Sequence, residues 1–480
     1  MKNKKVSFNQ YIISLIAVAI IAIIGTYLVL DKQVRAIQAE NKVQETTLTS
    51  NDLKKIDTLY SQIKANYVGK VSKTKLINGA LKGMTSALDD PYTVYMDSTE
   101  SEDLNNTISS SFEGIGATLS LQNELPTIAQ APIKGSPAEK ANLKAGDVIM
   151  KIDGQSTKGQ TLTQDVSKIR GKKGTSVTLN IQRGDENFDV KITRDTIPVD
   201  TVYANIDATN KEIGNIKITT FSENTYTELK AAIKKLREAG AKSFVLDVRQ
   251  NPGGLLDQVE KMASMFLKDG QTIVQFEDKN GAKTVAKASS ELDGGQKVTE
   301  PVVVLVDDGS ASAAEIFAAA LNQSAGDKLI GKKTFGKGTV QQVLSETDKS
   351  ELKITIMKWL TPSGDWIHKK GITPTIEADY PDYAYLTPID KTKTYKQGDS
   401  NTSVKNINAM LKALGYLQVQ PSDVYDENTK NAVAKFQTDN SFTSNGETTS
   451  ETATKLEQNL AKLIGENDQA YKAALKELTK

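Results

Sequence analysis

Cysteine is absent from this 480-residue chain, and histidine occurs once, at His368. Without a thiol there can be no disulfide framework, cysteine nucleophile, thiolate zinc site or iron–sulfur cluster. With one imidazole there can be no multi-histidine metal site, and a Ser-His-Asp triad would have to use His368. If the chain is an enzyme, its base is expected to be something other than histidine. A charge surplus of one sign is also missing. Lys and Arg number 60 against 59 Asp and Glu, so no bulk basic field drives nucleic-acid binding. What remains is ordinary globular material, 38% hydrophobic and 25% charged. At roughly 150 residues per domain its length predicts about three domains.

One long uncharged run stands apart. Lys2, Lys4 and Lys5 precede YIISLIAVAIIAIIGTYLVL at 11–30, which as a helix would span about 30 Å, one hydrocarbon core. No A-x-A cleavage site follows before Asp31 and Lys32, so the run reads as an uncleaved transmembrane anchor. A cleaved signal would change the tether but not the compartment. The lysines predict a cytoplasmic tail at 1–10 and everything after Leu30 outside.

Residues 31–100 place Leu53, Ile56, Leu59, Ile63 and then Leu76, Ala80 and Met84 at helical spacing. This predicts two or three amphipathic helices forming a packing or dimerisation arm, stopped by Asp89-Asp90-Pro91. Residues 112–195 read as short strands with turn signals, among them 118–121, 128–131, 177–182 and 189–193. They contain FEGIGATL at 112–119 and SPAEKANLKAGDVIMKIDG at 136–154, and on these the segment resembles a circularly permuted PDZ domain of bacterial proteases. That resemblance implies a carboxylate-binding loop at Gly114, Ile115, Gly116 and Ala117. Glycines there let backbone N–H groups converge on a peptide terminus, and the adjacent strand can pair with the peptide. A plain β-rich spacer is the alternative.

Residues 196–390 alternate strands (213–218, 243–248, 302–306) with helices (226–239, 255–266, 314–321), predicting an α/β layer fold with a partly parallel sheet. From 394 to 465 a leucine-rich helix, Leu414-Gly415-Tyr416, Asp426 and then Thr429, Ala432, Val433, Phe436 and Gln437 resemble the three-helix peptidoglycan-binding domain. The ending TSNGETTSETATKL departs from that pattern, and a three-helix spacer is the alternative. Residues 466–480 read as a final helix.

Three segments carry chemistry. VVVLVDD leads into GSASAAE, so a serine sits at a strand-to-helix turn, where a base can activate it and helix-start N–H groups can stabilise an oxyanion. Ser312 with Glu315 three residues on is equally a capping box. GKKTFGKGTVQQ at 331–342 sets Lys337 between two glycines. At its ordinary pKa a lysine is neutral about 0.04% of the time at pH 7, a cost of about 4.6 kcal/mol as a base, unless desolvation lowers it. Lys332 and Lys333 compete for the role. VLDVRQNPGGLL at 245–256 can present N–H groups to a substrate carbonyl, or be an ordinary turn.

Together, GSASAAEIFAAAL, TFGKGTVQ and LDVRQNPGGLL resemble the signatures of the C-terminal processing peptidases, or tail-specific proteases. The match runs from about Asp52 to Tyr380. The resemblance implies a crotonase/ClpP-like serine protease core, Ser312 as nucleophile, Lys337 as general base and Gln341 orienting the lysine. It further implies oxyanion donors at Gly253, Gly254 and Ala313. Arg170, near the junction of PDZ domain and core, is a candidate for gating or else a solvated loop charge. LDDPYTVYMD at 88–97 also matches and reads as packing. No metal or organic cofactor is implied. The expected molecule is a multidomain α/β, membrane-anchored, extracytoplasmic endopeptidase. It would take protein or peptide substrates with exposed apolar C-termini, with peptidoglycan and a second copy of the chain as further partners, and by analogy would act in signalling or envelope quality control. A non-catalytic scaffold holding peptide tails and glycan, and a hydrolase of the wall glycan itself, are the alternatives.

Overall fold

The structure, a computed structural model, describes residues 47–480. The expected tail and anchor at 1–30 lie outside the described residues. Among those described, no helix is long and apolar enough to cross a membrane.

The described residues up to Asp89, 47–89, form a unit of their own, built from helices Ser50–Asn66 and Lys73–Ser86. Thr49 opens the first with a capping box: its N–H donates to Asp52 Oδ2 at 3.1 Å and Asp52 N–H donates back to Thr49 Oγ1 at 3.3 Å. The helical spacing of apolar residues is present, yet neither helix has a fully buried residue. A third helix, Ser98–Ile108, belongs to the second unit, which runs from Asp90 to Lys480.

Within that second unit, a β-rich domain is built on an antiparallel sheet in the order Leu119–Gln122, Leu125–Ile128, Val148–Ile152, Ser176–Arg183, Glu186–Thr193. In SVTLNIQR, Val177, Leu179 and Ile181 are fully buried, the period-two pattern of a half-buried strand. The second strand falls at 125–128 rather than 128–131. The physical reason is a two-residue hairpin with Asn123 and Glu124 both at positive φ, 49° and 63°, and glutamate gives no signal for such a turn. Ser111–Gly114 pairs antiparallel with Asp195–Pro198, clasping the two ends of the domain together.

The core that follows has a six-stranded sheet in the order Val202–Ile206, Ile213–Ile218, Ser243–Asp247, Val302–Val306, Lys328–Gly331, Ile376–Glu377. All neighbours are parallel except the first pair. Every residue of VVVLV is buried, as a strand covered on both faces requires. Val302, Val304 and Val306 pack with helices Thr225–Glu238, Leu256–Phe266 and Ala313–Ala320. Val303 and Leu305 face the other way, against Ala470 and Ala474 of the last helix, Gln469–Leu478. The final helix is thus a layer of the core. A second sheet, which the strand–helix alternation did not announce, joins Val94–Met96, Glu351–Leu360, Thr272–Asp278 and Lys283–Lys287, with Thr339–Ser345 also paired to Glu351–Leu360. Helices Thr402–Ala413, Glu427–Asp439 and Ser450–Glu466 enclose a separate apolar core that includes Val404, Leu411, Phe436 and Leu456.

Phe317 is fully buried, with ring centroids 5.8 Å from Phe221 and 5.7 Å from Phe266. Phe317→Ala is expected to cost about 3–5 kcal/mol, read as a lowered urea midpoint of the core transition.

Candidate active site

Two neighbouring parallel strands, Ser243–Asp247 and Val302–Val306, end in loops that are laced together. Gln250 N–H donates to Asp307 Oδ1 at 2.9 Å and its Nε2 to Asp307 Oδ2 at 2.8 Å. Ser310 Oγ donates to the Val248 carbonyl at 2.8 Å and accepts from Asp307 N–H at 3.0 Å. Ser310 is fully buried, and its hydroxyl is fully engaged in this lacing. Ser312, two residues on, stands at the helix start in a left-handed conformation with φ 55°, strained for a residue with a Cβ.

Glu315 decides where that turn sits. Fully buried, its carboxylate accepts from Ser312 N–H at 2.9 Å and Lys337 N–H at 2.8 Å on one oxygen. The other oxygen takes Thr334 Oγ1 at 2.6 Å and Gly336 N–H at 2.7 Å. Burial pushes this carboxyl above the ordinary glutamate range, against the pull of those four donors. A pattern that reads as a capping box is therefore also the joint between the serine turn and the lysine loop.

Aromatic side chains hold the lysine loop from the other side. Trp359 Nε1 donates to the Lys337 carbonyl at 2.7 Å and Trp366 Nε1 to the Gly338 carbonyl at 2.8 Å. His368 stacks on Trp366 with centroids 5.2 Å apart, and its Nδ1 accepts from Gly338 N–H at 3.3 Å. A Cβ at Gly336 would come within 2.7 Å of Gly371 N, and one at Gly338 within 2.9 Å of His368 N, so close backbone packing requires both glycines.

Ser312, Lys337, Gln341, Gly254 and Ala313 line one cavity of about 260 Å³, with Leu104, Ile108, Leu255, Ile316 and Val343 among its apolar walls. Lys337 Nζ lies 4.9 Å from the centroid of the Tyr92 ring. Burial, with Lys353 nearby, lowers its pKa to about 8 against the opposing charges of Asp90 and Glu315. That gives roughly 300-fold more neutral amine at pH 7 than an ordinary lysine has. Lys332 goes the other way. Burial opposes it, but Asp379, Tyr385 and Asp308 hold it well above the usual lysine range, which suits an ion pair and not a base.

The remaining candidates fall in different places. No hydrogen bond joins Ser312 Oγ to Lys337 Nζ among the described residues. Gln341 Nε2 donates to Thr339 Oγ1 at 3.0 Å and Thr355 Oγ1 at 3.1 Å rather than contacting the lysine. Gly253 does not meet the expectation of a free donor: its N–H is donated to Asn251 Oδ1 at 2.9 Å. Its φ of 102°, and a Cβ position only 2.8 Å from Ser312 Cβ, show that it is needed for close approach instead. Among the described residues, the N–H groups of Gly254 and Ala313 have no acceptor. In the β-rich domain the Ile115 and Gly116 carbonyls are occupied by Ala138 N–H at 2.8 Å and Ile133 N–H at 2.9 Å. The N–H groups of Ile115, Gly116 and Ala117 have no acceptor among the described residues. Arg170 lies 4.9 Å over the Phe112 ring, and its Cγ is 3.7 Å from where a Cβ at Gly114 would stand, so it is packed at that loop rather than simply solvated. Sequence reasoning missed Tyr92 and the bridging role of Glu315. The signals were there: Tyr92 lies in the LDDPYTVYMD match, and Glu315 is the one charge in a helix whose residues are otherwise all Ala, Ile and Phe.

Four family models match the chain: peptidase family S41 over 212–378, the activating protease CtpB N-terminal domain over 18–100, a PDZ domain over 128–183 and a peptidoglycan binding domain over 400–456. The chain is 48% identical over 427 residues to the carboxy-terminal processing protease CtpA of Bacillus subtilis, covering 89% of this chain and 90% of that one. It is 37% identical over 484 residues to a CtpA-like serine protease of Staphylococcus epidermidis, covering 99% and 95%. Among solved structures it is similar to the photosystem II D1 C-terminal processing protease, at 27% identity, 66% of this chain, 85% of that one and a TM-score of 0.39.

Glu315→Gln would set an NH₂ group against backbone N–H donors that a carboxylate satisfies. It is expected to destabilise the core by about 3–5 kcal/mol, measured by urea denaturation against Glu315→Asp.

Proposed function

The chain belongs to the carboxy-terminal processing proteases of peptidase family S41, and on that premise we propose that Ser312 is the nucleophile and Lys337 the general base of its serine peptidase. The observation that carries this reading is the lowered pKa of Lys337 in the cavity it shares with Ser312. Neutral Lys337 Nζ takes the proton of Ser312 Oγ as the oxygen attacks the scissile carbonyl carbon. The N–H groups of Gly254 and Ala313 receive the oxyanion. On collapse the C–N bond breaks, the leaving amine takes the proton from Lys337, and an acyl-serine remains. Water, deprotonated by the same lysine, then hydrolyses the ester.

For this the amine must leave the face of Tyr92 and reach the hydroxyl. The carbonyl of Gln341, whose amide nitrogen is held by two threonines, is suited to receive it there. The apolar cavity walls favour apolar side chains beside the scissile bond. In the PDZ domain the open N–H groups of Ile115, Gly116 and Ala117 suit a peptide carboxylate. Arg170, packed on Phe112 at that loop, is placed to relay its occupancy as a gate. The run at 11–30 supports single-pass anchoring with the enzyme outside the membrane and the N-terminus cytoplasmic. The peptidoglycan-binding domain would keep the enzyme near the wall, where a processing role in signalling or envelope quality control fits, and the exposed helical arm suits a homodimer.

The test follows cleavage of casein by the full chain in detergent. Ser312→Ala and Lys337→Ala are each expected to lower kcat/KM by about 10⁴-fold or more. Persistent activity in Lys337→Ala removes the lysine from its role. If the parent is silent, peptides with apolar free C-termini are added, and silence even then favours a tail-binding scaffold. Only the neutral amine accepts a proton, so kcat/KM should fall about tenfold per pH unit below an inflection near 8. An acid limb with its midpoint below the ordinary histidine value, where burial and the nearby Lys369 hold His368, would point to that residue instead.

A further inference from the structure

The segments entering and leaving the three-helix domain both fasten to the loops that carry the site. On the entering side, Lys332 pairs with Asp379 at 3.3 Å and with Asp308, beside the serine turn, at 3.5 Å. On the leaving side is a buried ion cluster. Arg249, two residues before Asn251, is 7% exposed. Its guanidinium donates to Asp247 from Nε at 2.9 Å and from Nη2 at 2.8 Å. It also donates to Asp468 from Nη1 at 3.0 Å, and its Nη2 lies 2.8 Å from the other Asp468 oxygen. The Tyr380 ring covers it at 4.9 Å and donates its hydroxyl to Asp468 at 3.2 Å. Asp468 also caps the final helix, accepting from Tyr471 N–H at 2.9 Å.

A guanidinium held by two carboxylates has its plane and position fixed. Here that plane is attached to the backbone just before Gln250, left-handed at φ 58°, and Asn251. Asn251 in turn holds Gly253 N–H and, through its carbonyl, Ala311 N–H at 2.9 Å. We propose that Asp468 is a positioning residue for the peptidase reaction, acting through Arg249 to hold the 251–254 loop where the Gly254 N–H meets the developing oxyanion. Turnover then depends on a residue beyond the wall-binding-type domain, which is clamped to the catalytic core. The inference rests on the assignment of Ser312 and Gly254 above.

The full chain is assayed as kcat per active serine, titrated with a fluorophosphonate. Asp468→Asn keeps a good helix cap but removes the charge and turns the oxygen facing Arg249 Nη2 and the Tyr380 hydroxyl into an NH₂ donor. It should lower kcat per site about tenfold with KM within about twofold, and Asp468→Glu, which keeps the charge, about threefold. Tyr471→Phe loses the 2.5 Å bond to Asp207, which fastens the same helix without touching Arg249. It should lower the melting temperature and leave kcat per site unchanged. The proposal is overturned if neither Asp468 variant changes kcat per site by more than about twofold, or if Tyr471→Phe lowers it as much as Asp468→Asn. Labelling of the parent that survives in Ser312→Ala sinks the nucleophile assignment itself, and this inference with it.

Discussion

The site depends on one buried carboxylate. Ser312 and Lys337 are 25 positions apart in sequence and belong to different loops, and the buried Glu315 carboxylate ties those loops together by accepting from main-chain N–H groups of both. A charge buried this deeply is tolerable only when fully hydrogen-bonded. Four donors and the N-terminal end of a helix meet that demand. The same carboxylate raises the lysine pKa while burial lowers it. The basicity of the amine is thus a balance between the structural joint and the dry cavity around it.

The parallel sheet explains why such a joint can be rigid. Its central strand is buried on both faces, so the loops at its end are supported from two sides, by the helices of the core and by the final helix, Gln469–Leu478. A chain whose last helix fills out the core cannot carry its C-terminal domain as a loose appendage. The ion cluster at Arg249 and the pairing of Lys332 with Asp379 give that attachment its polar half. Both meet the loops that carry Gly254 and Ser312.

Much of this was legible in the chain. The strand at VVVLV, the strand–helix alternation, glycines around Lys337 and the absence of cysteine and of all but one histidine follow from local pattern and composition. The helices of the arm also follow from apolar spacing. The shifted strand at 125–128 was hidden because Glu124 gives no turn signal. The second sheet was hidden because its strands are gathered from residues 94 to 360, and no short window shows such a pairing.

Local pattern therefore determined which elements form and which residue types could supply a nucleophile and a base. Tertiary structure decided their condition: that Ser310 is tied up and Ser312 is not, that Lys332 is held as a cation while Lys337 is lowered toward neutrality, and that Gly253 gives its N–H to Asn251 while Gly254 keeps its own. The reason is physical. Hydrogen-bond occupancy, desolvation and ion pairing are properties of neighbours in space, and here those neighbours, Tyr92, Glu315 and Asp468, come from distant parts of the chain.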